Sequence, residues 1–378
     1  MRPQSVITTL QELIRINSVN PAYASGQPEG RIQAWIHDFF SNAGIQAELV
    51  EVFPDRPNLL ATLPGRDRSR RLMLEAHVDT AGVENMVSPP FEPSILQGRI
   101  YGRGACDTKG GLAAMMHALA ELHAEGFVPS CDVVLAATMD EEATYRGAAH
   151  LCEHLTAEAA IVAEPTELRL VVASKGCLRW RVAIGGRAAH SSTPHLGINA
   201  ISRMARLIVV MEEGDASLRT VRHPLVGEPT LNVGLIRGGA QVNIVPEQCQ
   251  VEIDRRLVPG EEPPVIQRQY EELSETLRAR FPDMQITHTT LLEDWPMETS
   301  PDSHIVRTAQ QALERLSLPS DPAGVPFGSD ASKFTRAGIP SIVMGPGSID
   351  QAHTAAEFVA MDQVVQAVNL YKEIIRGF

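Results

Sequence analysis

The 378-residue chain is longer than a usual single domain and 44% apolar, so a large core and two domains are expected. A formal net charge of −13 argues against nucleic acid or an anionic membrane surface as the main partner, and no run is apolar for a membrane-spanning length. The five scattered cysteines form no CxxC pair, which argues against a disulfide framework and a thiolate zinc site, and Met1–Ser5 shows no hydrophobic leader, so a cytoplasmic protein is expected.

Apolar periodicity predicts amphipathic helices over Val6–Ile16 and Gln27–Gly44, the second with Ile32, Trp35, Ile36, Phe39 and Phe40 on one stripe. Strands are predicted at Asn58–Leu63 and Arg71–Val78, followed by an irregular or short-stranded stretch over Phe91–Gly102. A helix from Gly110 to Glu125, an apolar strand at Cys131–Met139, a helix at Gly147–Leu155 and an apolar strand at Ala159–Ala163 come next. This alternation predicts an α/β layer with a mostly parallel central sheet. The pattern changes near Gly176. Strands at Leu178–Ile184, Thr230–Ile236, Cys249–Leu257 and Gln285–Leu292 are interleaved with helices at Ile198–Glu213 and Pro264–Arg280. The α/β character then returns, with a helix to Leu316, a strand at Ser341–Met344 and a helix at Val359–Ile375. The expected organisation is a discontinuous domain of residues 1–176 and 293–378, interrupted by an α+β domain of residues 177–292.

Chemistry-bearing side chains gather where the apolar strands of the first domain end. In Leu72–Thr80, His77 and Asp79 are two apart and share a face of an extended chain. An imidazole beside carboxylates suits zinc or a similar divalent ion, although a lone His-x-Asp is also an ordinary strand end. Asp107 lies in the Gly-rich turn Gly102–Gly111 just before a helix, where it could bridge two ions or simply cap the helix; the spacing is not that of a phosphate loop. The strand Cys131–Met139 runs into Asp140-Glu141-Glu142, a trio that repels itself unless it is solvated, bound to metal or placed at a helix start. Glu164 follows the strand Ala159–Ala163 and precedes the stiffening Pro165, and His353 ends the Pro- and Gly-containing loop that begins at Gly345. His117, His123, His150 and His154 fall on predicted helices, where packing or a surface position is expected instead.

Taken in order, His77-Val78-Asp79, Gly102–Gly111, Asp140-Glu141-Glu142, Ala163-Glu164-Pro165-Thr166 and the His353 loop resemble the M20 metallopeptidase and deacylase family. The resemblance runs over essentially the whole chain and looks most like the acetylornithine deacetylase and succinyl-diaminopimelate desuccinylase branch. It implies a zinc-peptidase-like catalytic domain and an inserted dimerisation, or lid, domain. It implies two divalent ions per subunit, zinc first and cobalt or manganese as alternatives, one held by His77, Asp107 and Glu164 and the other by Asp107, Glu142 and His353. Asp79 would orient the His77 ring, Glu141 would be the general base, and the Asp107–Thr108 peptide would be cis. In the inserted domain the resemblance assigns oxyanion stabilisation across a homodimer interface to His190 and substrate contacts to Asn243 and Arg255, the arginine gripping a carboxylate. The implied activity is hydrolysis of an N-acyl amino acid amide, N-acetylornithine deacetylation foremost. Desuccinylase and dipeptidase or carboxypeptidase activities are the alternatives, and a metal-dependent acyl-amino-acid-binding protein is the non-enzymatic one.

Overall fold

The computed structural model describes residues 5–218 and 221–378; residues 1–4, part of the opening read above for a leader, lie outside them. The chain divides into two compact units, one of Met1–Val172, Glu298–Ala323 and Ser329–Phe378, the other of Ala173–Met297 with Gly324–Gly328. The second unit is slightly wider than the expected 177–292, and no shift in composition marks its short return at 324–328.

In the first unit, the strand Asp67–His77 lies between Cys131–Thr138 and Ala159–Val162 and runs parallel to both. Ser341–Val343 adds a further parallel strand beside Ala159–Val162. Arg56–Leu63 pairs antiparallel with Cys131–Thr138, and Gln46–Phe53 is the outer strand beside it. Cys131–Thr138 is buried at every position, as a central strand covered on both faces must be. Parallel strands all end at the same edge of a sheet, so the loops after His77, Thr138, Val162 and Val343 leave from one side. Asp79, Glu141 and Glu142, Glu164 and His353 are on those four loops, whereas Asp107 comes from the turn after the short strand Arg99–Tyr101, which pairs with Phe358–Ala360 in a separate small sheet.

Gln46–Phe53 is not among the predicted strands. It leaves Leu49 and Phe53 exposed, and as an outer strand it lacks the apolar run that marks its neighbours. The helix Lys109–Ala124 packs against Val6–Arg15 and Met361–Gly377 and buries Leu112, Met115, Met116, Leu119 and Leu122. Its start needs small residues: a Cβ on Gly111 would come within 2.7 Å of Ala163 Cβ, beside the Glu164 strand end.

The second unit is an antiparallel sheet in the order Thr230–Gly238, Gln248–Leu257, Gly176–Gly185, Gln285–Asp294. The helices Ala200–Leu218 and Pro263–Arg280 pack on it and on each other, over a core that includes Trp180, Val182, Val251, Ile253 and Tyr270. Alternate residues of Gln248–Leu257 face this core, so Val251, Ile253, Arg255 and Leu257 point one way and Asp254 and Arg256 the other.

Candidate active site

His77 sits at the last position of its strand and is buried. Its Nδ1 donates to the Asp79 main-chain carbonyl at 2.9 Å, which turns Nε2 towards Asp107 Oδ1 at 3.1 Å and Glu164 Oε1 at 4.0 Å. A ring whose proton is committed at Nδ1 can meet two carboxylates at Nε2 only through a second proton or a cation. Burial opposes a charged ring, but Asp107 and Asp79 outweigh it and hold the His77 pKa well above the ordinary imidazole range.

The structure corrects one detail of the expectation for Asp79. Its carboxylate lies 3.6 Å from His77 Nδ1, too far for a good hydrogen bond, and it is the backbone oxygen that orients the ring. The carboxylate instead accepts from the backbone N–H groups of Glu141 at 3.1 Å and Glu142 at 3.0 Å and from Asn20 Nδ2 at 2.8 Å. Asp79 thus ties the end of one strand to the acidic turn after its neighbour. Asn20, which no motif marked, also donates to Asp140 at 3.0 Å, and Asp140 takes a further hydrogen bond from Arg56 at 2.8 Å. These contacts hold Asp140 in a left-handed conformation (φ 69°), and Glu141 and Glu142 follow it.

The Asp107–Thr108 peptide is cis. The two Asp107 oxygens face different histidines, Oδ1 towards His77 and Oδ2 towards His353 Nε2 at 3.4 Å. Burial works against ionisation of Asp107, but His353 and His77 pull its pKa below the usual carboxylate range. His353, itself at a left-handed φ of 57°, also lies 3.0 Å from Glu142, and hydrogen bonds to Asp107 and Glu142 push its pKa up to about 10 against the effect of burial. Among the described residues, two groups of side chains could hold a metal ion: His77, Asp107 and Glu164, and Asp107, Glu142 and His353, the donor atoms of each lying within 4.8 Å of one another. All five ligand positions expected from the sequence converge in this way, with Asp107 shared.

The donor set fits a pair of divalent cations. It combines imidazole nitrogen with carboxylate oxygen, and its carboxylates are packed too closely to be ionised together without positive charge between them. Burial raises Glu164 and Glu142, with the Asp107 charge adding to both. Glu141 belongs to neither group. Burial holds its carboxyl well above the ordinary range, the His77 charge opposing and Glu164, Asp330 and Glu142 reinforcing. Asp330, also buried, accepts from Thr138 Oγ1 at 3.2 Å and is pushed up to about 6, chiefly by burial.

The remaining expected site residues are in the second unit. His190 is exposed and accepts at Nδ1 from the Ser192 backbone N–H at 3.2 Å, so the proton of its neutral ring lies on Nε2. Ser191 N donates to the Asn243 carbonyl at 3.0 Å and His190 bridges Ile244, which brings the His190 and Asn243 loops together; the Asn243 side chain is exposed. Arg255 departs from its expected role. Its side chain is fully buried on the helix-facing side of its strand, bonded to Glu261 at 3.0 Å and Tyr270 at 3.1 Å, with Asp215 at 3.4 Å. A guanidinium so engaged is a core strut and offers no free fork to a substrate. The alternation that buries it, with Val251, Ile253 and Leu257 in phase, was present in the sequence.

Comparison with known proteins follows the same lines. The chain is 31% identical to an acetylornithine deacetylase from Myxococcus xanthus, over 98% of this chain and 96% of that one. It is 29% identical to an acetylornithine deacetylase from Vibrio atlanticus, over 96% and 95%. A tripeptidase from Staphylococcus aureus, 24% identical, has the same fold, with a TM-score of 0.80 over 98% of this chain and 97% of that one. With the model of peptidase family M20/M25/M40 matching residues 73–377, the chain belongs to that family.

Proposed function

We propose that the protein is a dinuclear metal-dependent deacylase of N-acyl amino acids, with N-acetyl-L-ornithine, cleaved to L-ornithine and acetate, as its foremost substrate. The observation that carries this reading is the pair of ligand groups sharing Asp107, with Glu141 beside them and outside both. The extended similarity to proteins named acetylornithine deacetylase supports the choice of substrate. Zinc is the proposed ion, with cobalt or manganese suited to the same donors. When bound, two such ions acidify a water and polarise the scissile carbonyl.

The chain's own residues do the rest. Glu141 accepts the proton of the attacking water and returns it to the nitrogen of the leaving amine. His190, with Nε2–H as donor, stabilises the oxyanion, and Asn243 contacts the substrate. Arg256, which strand alternation turns away from the core and which bonds Asp254 at 2.9 Å, replaces Arg255 as the group that grips the carboxylate. The subunits pair as a homodimer through the second unit, a reading supported by the edge strand Thr230–Gly238 with Leu235 and Ile236 exposed on it. A cytoplasmic location is supported by five free cysteines.

A hydrolysis panel of N-acetylornithine, N-succinyl-diaminopimelate, N-acetyl amino acids and dipeptides, with zinc or cobalt present, tests the substrate. Preference for N-acetylornithine is expected. Preference for a dipeptide or for the succinyl compound would replace the deacetylase reading, and binding without turnover of any of them would remove catalysis from it.

A further inference from the structure

Glu357 lies four residues beyond His353 and no motif singled it out. It is 1% exposed. Its carboxylate is wrapped by the turn that carries Asp107: Oε1 accepts from the N–H groups of Cys106 at 2.8 Å and Asp107 at 3.1 Å. Oε2 accepts from Gly104 N at 3.1 Å and from Arg103 Nη1 at 2.7 Å. Its backbone carbonyl takes the Gly102 N–H at 3.2 Å. A carboxylate that accepts several hydrogen bonds from one turn fixes that turn's backbone, and here the backbone so fixed is that of the shared ligand.

The same contact reaches back to His353. Arg103 Nη2 donates to the Gly82 carbonyl at 2.7 Å, and Asn85 from that stretch donates to the His353 carbonyl at 3.1 Å. Val87 N donates to the Ala355 carbonyl at 3.0 Å. Arg103 and Glu357 therefore form a strut between the Asp107 turn and the His353 loop, the two segments that must meet for Asp107, Glu142 and His353 to act together.

Resting on the two-ion reading above, we infer that Glu357 is a positioning residue for the metal centre: with Arg103 it sets the alignment of Asp107 against His353 and so the affinity for the ion at Asp107, Glu142 and His353. Glu357→Gln keeps the shape of the side chain but turns an amide N–H₂ towards a cluster of N–H donors, so the turn loses at least one of its acceptors.

The test is competition of the full-length, ion-free protein against a zinc chelator, with a His353→Ala variant marking which binding step belongs to the His353 site. Wild type takes up two ions. In Glu357→Gln the His353-site affinity falls 10- to 100-fold, the usual reach of a residue that supports metal ligands, while the other step changes less. Arg103→Gln weakens the same step and serves if Glu357→Gln does not fold. A folded Glu357→Gln protein that binds both ions with wild-type affinity, even if it melts earlier, would make Glu357 a brace of the fold only and overturn the inference. Wild type binding one ion or none would bring down the two-ion reading itself, and the inference with it.

Discussion

Glu141 and Glu142 are neighbours, yet one belongs to a ligand group and the other does not, because successive residues point different ways and Asp79 holds both of their N–H groups in place. Glu141→Ala is expected to lower kcat by about 10²–10⁴-fold, the range of general acid–base catalysis, while the protein still binds two ions. Steady-state kinetics with metal analysis checks this, and lost metal or retained turnover would move the base elsewhere. Arg255 and Arg256 make the opposite pair. Arg255→Met removes the cation that faces the buried carboxylates of Asp215 and Glu261 and should cost about 3–5 kcal/mol in a denaturant melt. Arg256→Met should leave the melt nearly unchanged and raise KM for N-acetylornithine. The five ligands were legible because each stands at a strand end or in a Gly-rich turn. Arg255 belongs to the core by its strand's own period of two, against the role that the family resemblance implies for it. Asn20 and Glu357 carry no sequence signal because each is an isolated polar residue whose partners at the site, Asp79 for one and the Asp107 turn for the other, lie far away in sequence.

At the scale of elements, four parallel strands ending at one edge, which runs of apolar residues predict, bring together every ligand but Asp107; that one comes from the turn after Arg99–Tyr101, and the antiparallel flanks carry no such apolar run. The outer strand Gln46–Phe53 was missed for that reason: with one side unpaired it is mostly exposed, and its sequence mixes charge with apolar residues. The helix Lys109–Ala124 supplies a pH signature. His117 on it accepts from or donates to Thr9 Oγ1 at 2.9 Å, and burial pushes its pKa below the ordinary 6.5. The unfolded chain then binds this proton more readily than the folded one, so the stability His117 contributes is complete above pH 6.5 and is lost as pH falls below it towards the lower folded value. Urea midpoints measured from neutral to mildly acidic pH should fall less for His117→Asn than for wild type; equal slopes would assign the pH dependence to other groups.

For the whole molecule, the two proposed ions would link distant parts of the chain, since His77 and His353 are brought together only by folding. Removing them with a chelator should lower the melting temperature, because ligand present at 100 times its Kd contributes about 2.7 kcal/mol per site. If His190 serves the partner's active site, mixing inactive Glu141→Ala and His190→Ala proteins should restore part of the activity; no recovery despite verified subunit exchange would confine His190 to its own chain or exclude it from the reaction. The most direct measurement is anomalous diffraction at the zinc edge from crystals of the zinc-loaded protein. The account predicts two peaks about 3.5–4 Å apart, one beside His77 and Glu164, the other beside Glu142 and His353, with Asp107 between them. A single peak, or zinc bound away from Asp107, would contradict it.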